Sequence, residues 1–173
     1  MKTIDIEIAM LKYLDFTSDI VVTNISGAFG ILEFETDILH LSKSGYASGF
    51  EIKVSKSDLL ADKKKKHRTV FSEWFHQCVS RWYPKIKYFN IVVPEDLLDD
   101  AVANVPEFWG ILTVTERKVL DISRFVVKQV RKPKLLSKYK WSDEERYNLA
   151  RLGTMRIFSL KKRIRSLEYE QQR

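Results

Sequence analysis

The sequence predicts an α/β protein with a mixed β-sheet and helices on both of its faces. The order of its periodic segments is helix, three strands, helix, strand, short helix, strand, which is typical of α/β folds. Apolar residues make up 45% of the 173 residues, which is enough to bury a core. The sequence contains no Gly-rich phosphate loop, nucleophile elbow or Cys/His zinc spacing. The sequence therefore gives no sign of a phosphate-loop nucleotide site, a serine-nucleophile hydrolase site or a Cys/His zinc site.

A first helix is predicted over residues 3–15. Its apolar positions recur at helical spacing, at Ile4, Ile8, Leu11 and Leu14. Glu7 falls on the same side of this helix as the apolar residues. A carboxylate on a buried stripe needs a partner, because desolvation of an unpaired charge is costly. Glu7 is thus a site candidate, with a salt-bridged glutamate at the edge of the core as the alternative.

The next segments predict a strand over residues 18–25 and then an antiparallel hairpin, residues 30–41 and 46–54, around a Ser-Lys-Ser-Gly turn. Asp37 lies in the first strand of the hairpin, and Glu51 and Lys53 lie in the second. Since side chains alternate along a strand, Glu51 and Lys53 point to one face. Two carboxylates with a strand carbonyl between them suit Mg²⁺ or Mn²⁺. An adjacent lysine can hold a water or stabilise phosphate charge, although a solvent-facing hairpin could carry the same residues.

A short helix capped by Ser57 or Asp58 is predicted after the hairpin. It leads into a run of basic residues, namely Lys63, Lys64, Lys65, Lys66, His67 and Arg68. The helix dipole accounts for one or two of these charges, whereas the others repel one another unless a polyanion is near. We therefore expect this run to contact a phosphate backbone, with Lys56 as the contact closest to the acidic site.

The middle of the chain predicts core elements. An aromatic helix is expected over residues 69–83 before Pro84, followed by a buried strand over 87–94. A short acidic helix over 95–105 and a strand over 108–115 follow, with one more strand over 119–127. The predicted domain therefore covers residues 1–127.

Residues 128–173 are predicted to form a basic linker and an amphipathic helix. Ser142 and Glu145 form a capping box at the start of the helix. Its apolar residues are Leu149, Leu152, Met155, Ile157, Leu160, Ile164 and Leu167. Such a basic helix can pack on the domain and offer arginines to nucleic acid, or pair with a second copy or another protein.

Charge and composition narrow the choice of partner. Residues 1–53 carry four Lys/Arg against eight Asp/Glu, whereas residues 117–173 carry 17 against six. An acidic N-terminal part can bind a cation and a basic C-terminal part can bind phosphates, a combination that suits an enzyme acting on nucleic acid. A solvated basic surface would give the same net charge of +7. The lone Cys78 is compatible with a reducing cytoplasm. The sequence has neither a signal peptide nor an apolar run long enough to span a membrane.

The order Asp37, then Glu51-Ile52-Lys53, resembles the D-x(n)-(D/E)-x-K signature of the PD-(D/E)XK, or restriction-endonuclease-like, nuclease superfamily. Thr36 stands where the family name has proline. Three later blocks are similar to those of the MmcB-type DNA-repair nucleases in this superfamily: KSDLLADKK at 56–64, YFNIVVP at 88–94 and VPEFWGIL at 105–112. The resemblance covers about the first 115 residues.

The resemblance implies a restriction-endonuclease-like fold and Mg²⁺- or Mn²⁺-dependent hydrolysis of DNA, in repair or processing. Its implied catalytic residues are Glu7, Asp37, Glu51 and Lys53, with Glu7, Asp37 and Glu51 as metal ligands. RNA stays open as a substrate. Two other functions also stay open: a catalytically silent nucleic-acid-binding module with the same fold, and a protein that interacts through its C-terminal helix.

Overall fold

A computed structural model of the chain describes residues 1–25, 32, 35–61, 85–119 and 122–171. The helices in these residues are α1 (Thr3–Tyr13), α2 (Lys56–Ala61), α3 (Leu98–Asn104) and α4 (Asp143–Gln171), with a 3₁₀ turn at Glu95–Leu97. The strands are β1 (Ile20–Ile25), β2 (Thr36–Leu41), β3 (Ala47–Ile52), β4 (Tyr88–Pro94), β5 (Gly110–Val119) and β6 (Ile122–Arg131).

The six described strands form one mixed sheet in the order β1-β2-β3-β4-β5-β6. The first three strands are antiparallel neighbours, β3, β4 and β5 run parallel, and β6 returns antiparallel to β5. The predicted hairpin is confirmed, since Ile38 lies opposite Phe50. Gly45 closes its turn at φ +85°, a conformation that glycine adopts without steric cost. The prediction of an α/β protein with a mixed sheet and flanking helices is confirmed.

Each face of the sheet buries its own apolar cluster. On one face α1 packs Ile6 and Met10 against central-strand residues such as Phe50 and Val92. The opposite cluster combines residues from the strands, from all three later helices and from the segment between β6 and α4. Its members include Leu59, Ala101, Trp109, Leu136, Trp141, Leu149 and Leu152. Because both faces are covered, β4 is buried along nearly its whole length, as its continuous apolar sequence predicts.

The C-terminal segment contributes directly to this second cluster. The boundary predicted between residues 127 and 128 falls inside β6, and the extended segment that follows runs back over the sheet. The Leu136 N–H donates to the Lys87 carbonyl at 2.9 Å. The Trp141 indole N–H donates to the Lys85 carbonyl at 2.7 Å. These bonds fix the start of α4 against the strands.

The predicted capping box of α4 is confirmed. The Ser142 N–H donates to the Glu145 carboxylate at 2.9 Å, and the Glu145 N–H donates to the Ser142 hydroxyl at 3.3 Å. These bonds satisfy two of the backbone donors that a helix start leaves unpaired. Helix α4 therefore begins where the sequence predicts.

Some predictions lie outside the described residues. They are the basic run at 63–68 and the aromatic helix over 69–83. In the part of the chain that the structure describes, no helix has the length and apolar character that crossing a membrane requires.

Candidate functional site

A cavity of about 480 Å³ opens at the end of the sheet where β2 begins and β3 ends. Its wall combines residues of α1, β1, β2, β3 and α2 with the loops beside them. The polar side chains among its lining residues are Thr3, Asn24, Glu35, Thr36, Asp37, Glu51, Lys53 and Asp58. The structure thus brings three of the four predicted catalytic residues, Asp37, Glu51 and Lys53, to one cavity.

Asp37 is held in the cavity by the neighbouring strand. Its Oδ2 accepts the Ile52 N–H at 2.7 Å. Asp37 precedes Ile38 and Glu51 follows Phe50, so the antiparallel register of the Ile38–Phe50 pair places Asp37 across from Glu51. Burial raises the pKa of Asp37 to about 6, and the negative charges of Glu51 and Glu7 add to this rise. The Ile52 hydrogen bond and the Lys53 charge oppose it. Asp37 therefore titrates near pH 6, above the ordinary range of an aspartate.

Lys53 is a buried ammonium between two carboxylates. Its Nζ lies 2.9 Å from Glu51 Oε1 and 3.7 Å from Asp58 Oδ1. Only 4% of Lys53 is exposed, so the paired charges offset the desolvation of the ammonium. The Lys53 N–H donates to the Val92 carbonyl at 3.0 Å, which continues the β3–β4 pairing past the end of β3. The 2.9 Å contact between Lys53 Nζ and Glu51 Oε1 confirms the prediction that the two side chains lie on one face.

Glu7 lies one side chain behind the cavity wall. Its Oε1 accepts the Asn24 Nδ2 group at 3.5 Å, and Asn24 lines the cavity. Burial raises the pKa of Glu7, while the bond from Asn24 lowers it in part. Glu7 thus acts on Asp37 electrostatically, since its negative charge is one of the causes of the raised pKa of Asp37.

Asn24 and Asp58 line the cavity and contact predicted site residues, but the sequence did not indicate them as site residues. Asn24 has φ +55° inside β1, in the left-handed region that asparagine tolerates better than most residues. Asp58 was expected to cap α2, but Ser55 does so, since its Oγ accepts the Asp58 N–H at 3.2 Å. The Asp58 carboxylate can then approach Lys53. An asparagine within a β-branched run was the available signal for Asn24, and no comparable signal marked Asp58.

The predicted nucleic-acid contacts are only partly described. Lys56 begins α2, and its Nζ lies 2.7 Å from Asp100 Oδ1 of α3, with the side chain 61% exposed. Its ammonium is thus at the surface, in an ion pair that a phosphate would have to compete with. Lys63, Lys64, Lys65, Lys66 and Arg68 lie outside the described residues.

The cavity offers carboxylate oxygens, which are the donors that a hard divalent cation prefers. Within residues 1–25, 32, 35–61, 85–119 and 122–171, no group of three or more His, Cys, Asp or Glu side chains is arranged to hold a metal ion. Mg²⁺, however, is often bound through one or two carboxylates with waters completing its shell. Asp37 and Glu51 supply such a pair, and their mutual repulsion is the kind that a cation relieves. Their donor chemistry therefore fits Mg²⁺ or Mn²⁺.

Replacing Asp37 with asparagine is expected to stabilise the protein at pH 8 by about 1–2 kcal/mol when EDTA is present. A pKa of about 6, raised from an ordinary value of 3.8, means that the folded state favours the protonated carboxyl. The wild type therefore loses stability as the pH rises through 6, whereas asparagine stays neutral and keeps an acceptor for the Ile52 N–H. The complete shift would be worth ~3 kcal/mol, of which water at the cavity mouth screens part.

Urea unfolding at pH 4, 6 and 8 measures this difference, which should vanish near pH 4. The exposed Asp99→Asn variant is the control and should change stability by less than about 0.5 kcal/mol at each pH. An Asp37→Asn variant that is less stable than the wild type at pH 8 would contradict the conclusion that the folded state raises the pKa of Asp37.

Comparisons with known proteins bear on the fold. No family model matches the chain, and no curated protein sequence matches it. Among solved structures it is similar to a protein of unknown function from Silicibacter pomeroyi, with a TM-score of 0.54 and 17% sequence identity. The match covers 92% of this chain and 88% of the other. At this identity the likeness concerns the fold alone.

Proposed function

We propose that this chain is a metal-dependent nuclease with a restriction-endonuclease-like fold, which hydrolyses phosphodiester bonds of DNA in repair or processing in the cytoplasm. The observation that carries the proposal is the convergence of Asp37, Glu51 and Lys53 on one cavity. A pair of carboxylates beside a lysine supplies both cation ligands and a positive charge for a phosphate. RNA is the alternative substrate.

The groups that would hold Mg²⁺ or Mn²⁺ are the carboxylates of Asp37 and Glu51 and the backbone carbonyl of Ile52. Such an ion, when bound, polarises a phosphate and lowers the pKa of its water. The Ile52 N–H fixes the orientation of Asp37 before any ligand enters. Glu7 accepts a hydrogen bond from Asn24 of the cavity wall, and its negative charge makes the binding of a cation at Asp37 more favourable.

Lys53 supplies the positive charge of the reaction. Its ammonium is buried, so its interaction with a phosphate oxygen is screened less than it would be in water. Glu51 and Asp58 restrict the position of Nζ. In this role Lys53 stabilises the charge that develops on the phosphate, or orients the attacking water.

The basic part of the chain would hold the rest of the substrate. Residues 117–173 carry 17 Lys/Arg against six Asp/Glu. Lys56 and the run at 63–68 follow the acidic hairpin directly in sequence. Contacts of this kind hold a phosphate backbone without reading base sequence. The acidic cavity and the basic segments thus have separate tasks, chemistry and substrate positioning.

A catalytically silent nucleic-acid-binding module is the second candidate. It is favoured by the 2.9 Å ion pair between Lys53 and Glu51 and by the hydrogen bond that already occupies Asp37. In that case the same residues would serve as a structural pair. The two candidates differ in turnover and share the binding of nucleic acid.

We expect the purified 173-residue chain to cut DNA when Mg²⁺ or Mn²⁺ is present and to stop when EDTA is added. Plasmid, single-stranded and branched DNA should be compared, with cleavage followed on gels and binding followed at 50 and 200 mM salt. Salt-sensitive binding without cleavage in either metal would support the silent module instead. A protein that neither binds nor cuts DNA or RNA would contradict both candidates.

A further inference from the structure

The second half of α4 extends away from the body of the protein. Leu149 and Leu152 anchor the first half of this 29-residue helix in the core, but all residues from 157 to 170 are exposed. At 1.5 Å per residue this exposed part is about 21 Å long. A helix of this length gains little stability from its own hydrogen bonds in water and normally depends on packing.

A regular apolar stripe runs along the exposed part. Ile157, Leu160, Ile164 and Leu167 are spaced three, four and three residues apart and are between 49% and 59% exposed. This is the a and d spacing of a heptad repeat, with isoleucine at both a positions and leucine at both d positions. Isoleucine at a with leucine at d favours two parallel strands.

The other large apolar side chains of this part contact cations of the same helix. Phe158 and Tyr169 are 59% and 58% exposed. The Lys162 ammonium lies 4.6 Å from the ring centre of Phe158, and the Arg165 guanidinium lies 5.5 Å from that of Tyr169. These cation–π contacts join residues one turn apart on the face away from the stripe. The stripe differs from that face in its regular aliphatic spacing, which is the pattern that a partner helix buries.

We propose that the stripe of Ile157, Leu160, Ile164 and Leu167 pairs with the same stripe of a second copy as a parallel two-stranded coiled coil. In that register Arg163, at a g position, faces Glu168 of the second copy at an e position. The symmetry of the dimer makes this ion pair twice. The inference is independent of the proposed nuclease activity.

One charge pair of this register is repulsive, and the structure provides a way to reduce the repulsion. Arg156, at the preceding g position, would face Lys161 of the second copy. However, the Arg156 guanidinium donates to the carbonyl of Asn24 in its own chain at 2.6 Å. The arginine is thus directed toward β1, where α4 leaves the domain.

Sedimentation equilibrium of the 173-residue chain tests this proposal, after treatment with an added nuclease has removed bound nucleic acid. The wild type should approach twice the chain mass of 20.4 kDa as its concentration rises. Leu160→Glu should weaken dimerisation at least about tenfold, because it places a carboxylate in the seam. Ser159→Glu, at an exposed c position outside the seam, is the matched control and should dimerise like the wild type.

A charge swap tests the parallel register. Arg163→Glu and Glu168→Arg should each weaken self-association, since each faces like charges, whereas an equimolar mixture of the two variants should form heterodimers. The proposal would be overturned by a wild type that stays monomeric up to about 100 μM, by a dimer that tolerates Leu160→Glu, or by association that appears only when DNA is added.

Discussion

Replacing Lys53 with methionine is expected to lower the rate of Mg²⁺-dependent DNA cleavage at least about a hundredfold, the usual cost of losing a charge-stabilising donor. Methionine keeps much of the volume of the buried lysine stem but removes the ammonium that lies 2.9 Å from Glu51. The carboxylates at the cavity remain. The loss should therefore fall on the turnover of bound DNA more than on DNA binding, which single-turnover cleavage and a binding titration separate.

Lys12→Met is the matched control for this variant. Lys12 is exposed in the last turn of α1, outside the basic segments that are proposed to hold the substrate. It should retain cleavage within about threefold of the wild type. If Lys53→Met cut DNA as fast as Lys12→Met, Lys53 would be a structural partner of Glu51 and the mechanism proposed for it would be wrong.

Replacing Trp141 with alanine is expected to reduce the free energy of unfolding by about 3–5 kcal/mol. Trp141 is 4% exposed and belongs to the buried cluster that contains Leu149 and Leu152. The substitution leaves a cavity and removes the indole donor of the Lys85 carbonyl. Urea unfolding followed by circular dichroism measures the loss as a lower midpoint.

Tyr147→Ala, in the same helix, controls for the loss of an aromatic ring. Tyr147 is 68% exposed, so its removal should cost less than about 0.5 kcal/mol. Equal stabilities of the Trp141→Ala and Tyr147→Ala variants would mean that residues 128–173 are separate from the core. A large difference would show that the folding unit extends past residue 127.

The strands could be predicted from the sequence because their signals are local. Alternation along residues 46–54 was enough to place Glu51 and Lys53 on one face, and the Ser-Lys-Ser-Gly turn fixed their hairpin partner. The position of Asn24 could not be predicted in this way. Its place in the cavity depends on a left-handed backbone conformation within β1 and on the approach of Glu7 from α1.

The extent of the domain was also beyond local signals. Lys, Arg and Pro dominate residues 128–140, a composition that is typical of an exposed linker. The structure nevertheless buries Leu136 from this stretch, and Trp141 directly after it, in the core beside the sheet. A single leucine or tryptophan within a basic stretch has no periodicity that would reveal its burial.

The late position of these core residues in the chain has a consequence for biosynthesis. Arg156 reaches Asn24 across 132 residues, and Arg146 reaches Lys43 across 103. Contacts this distant in sequence form only after residues 146 and 156 have left the ribosome, and they slow folding because large loops must close first. Until then the face of β1 that later receives α4 is open to chaperones and to aggregation. A nascent chain that stalls before residue 141 has the six described strands but lacks the helix that covers this face.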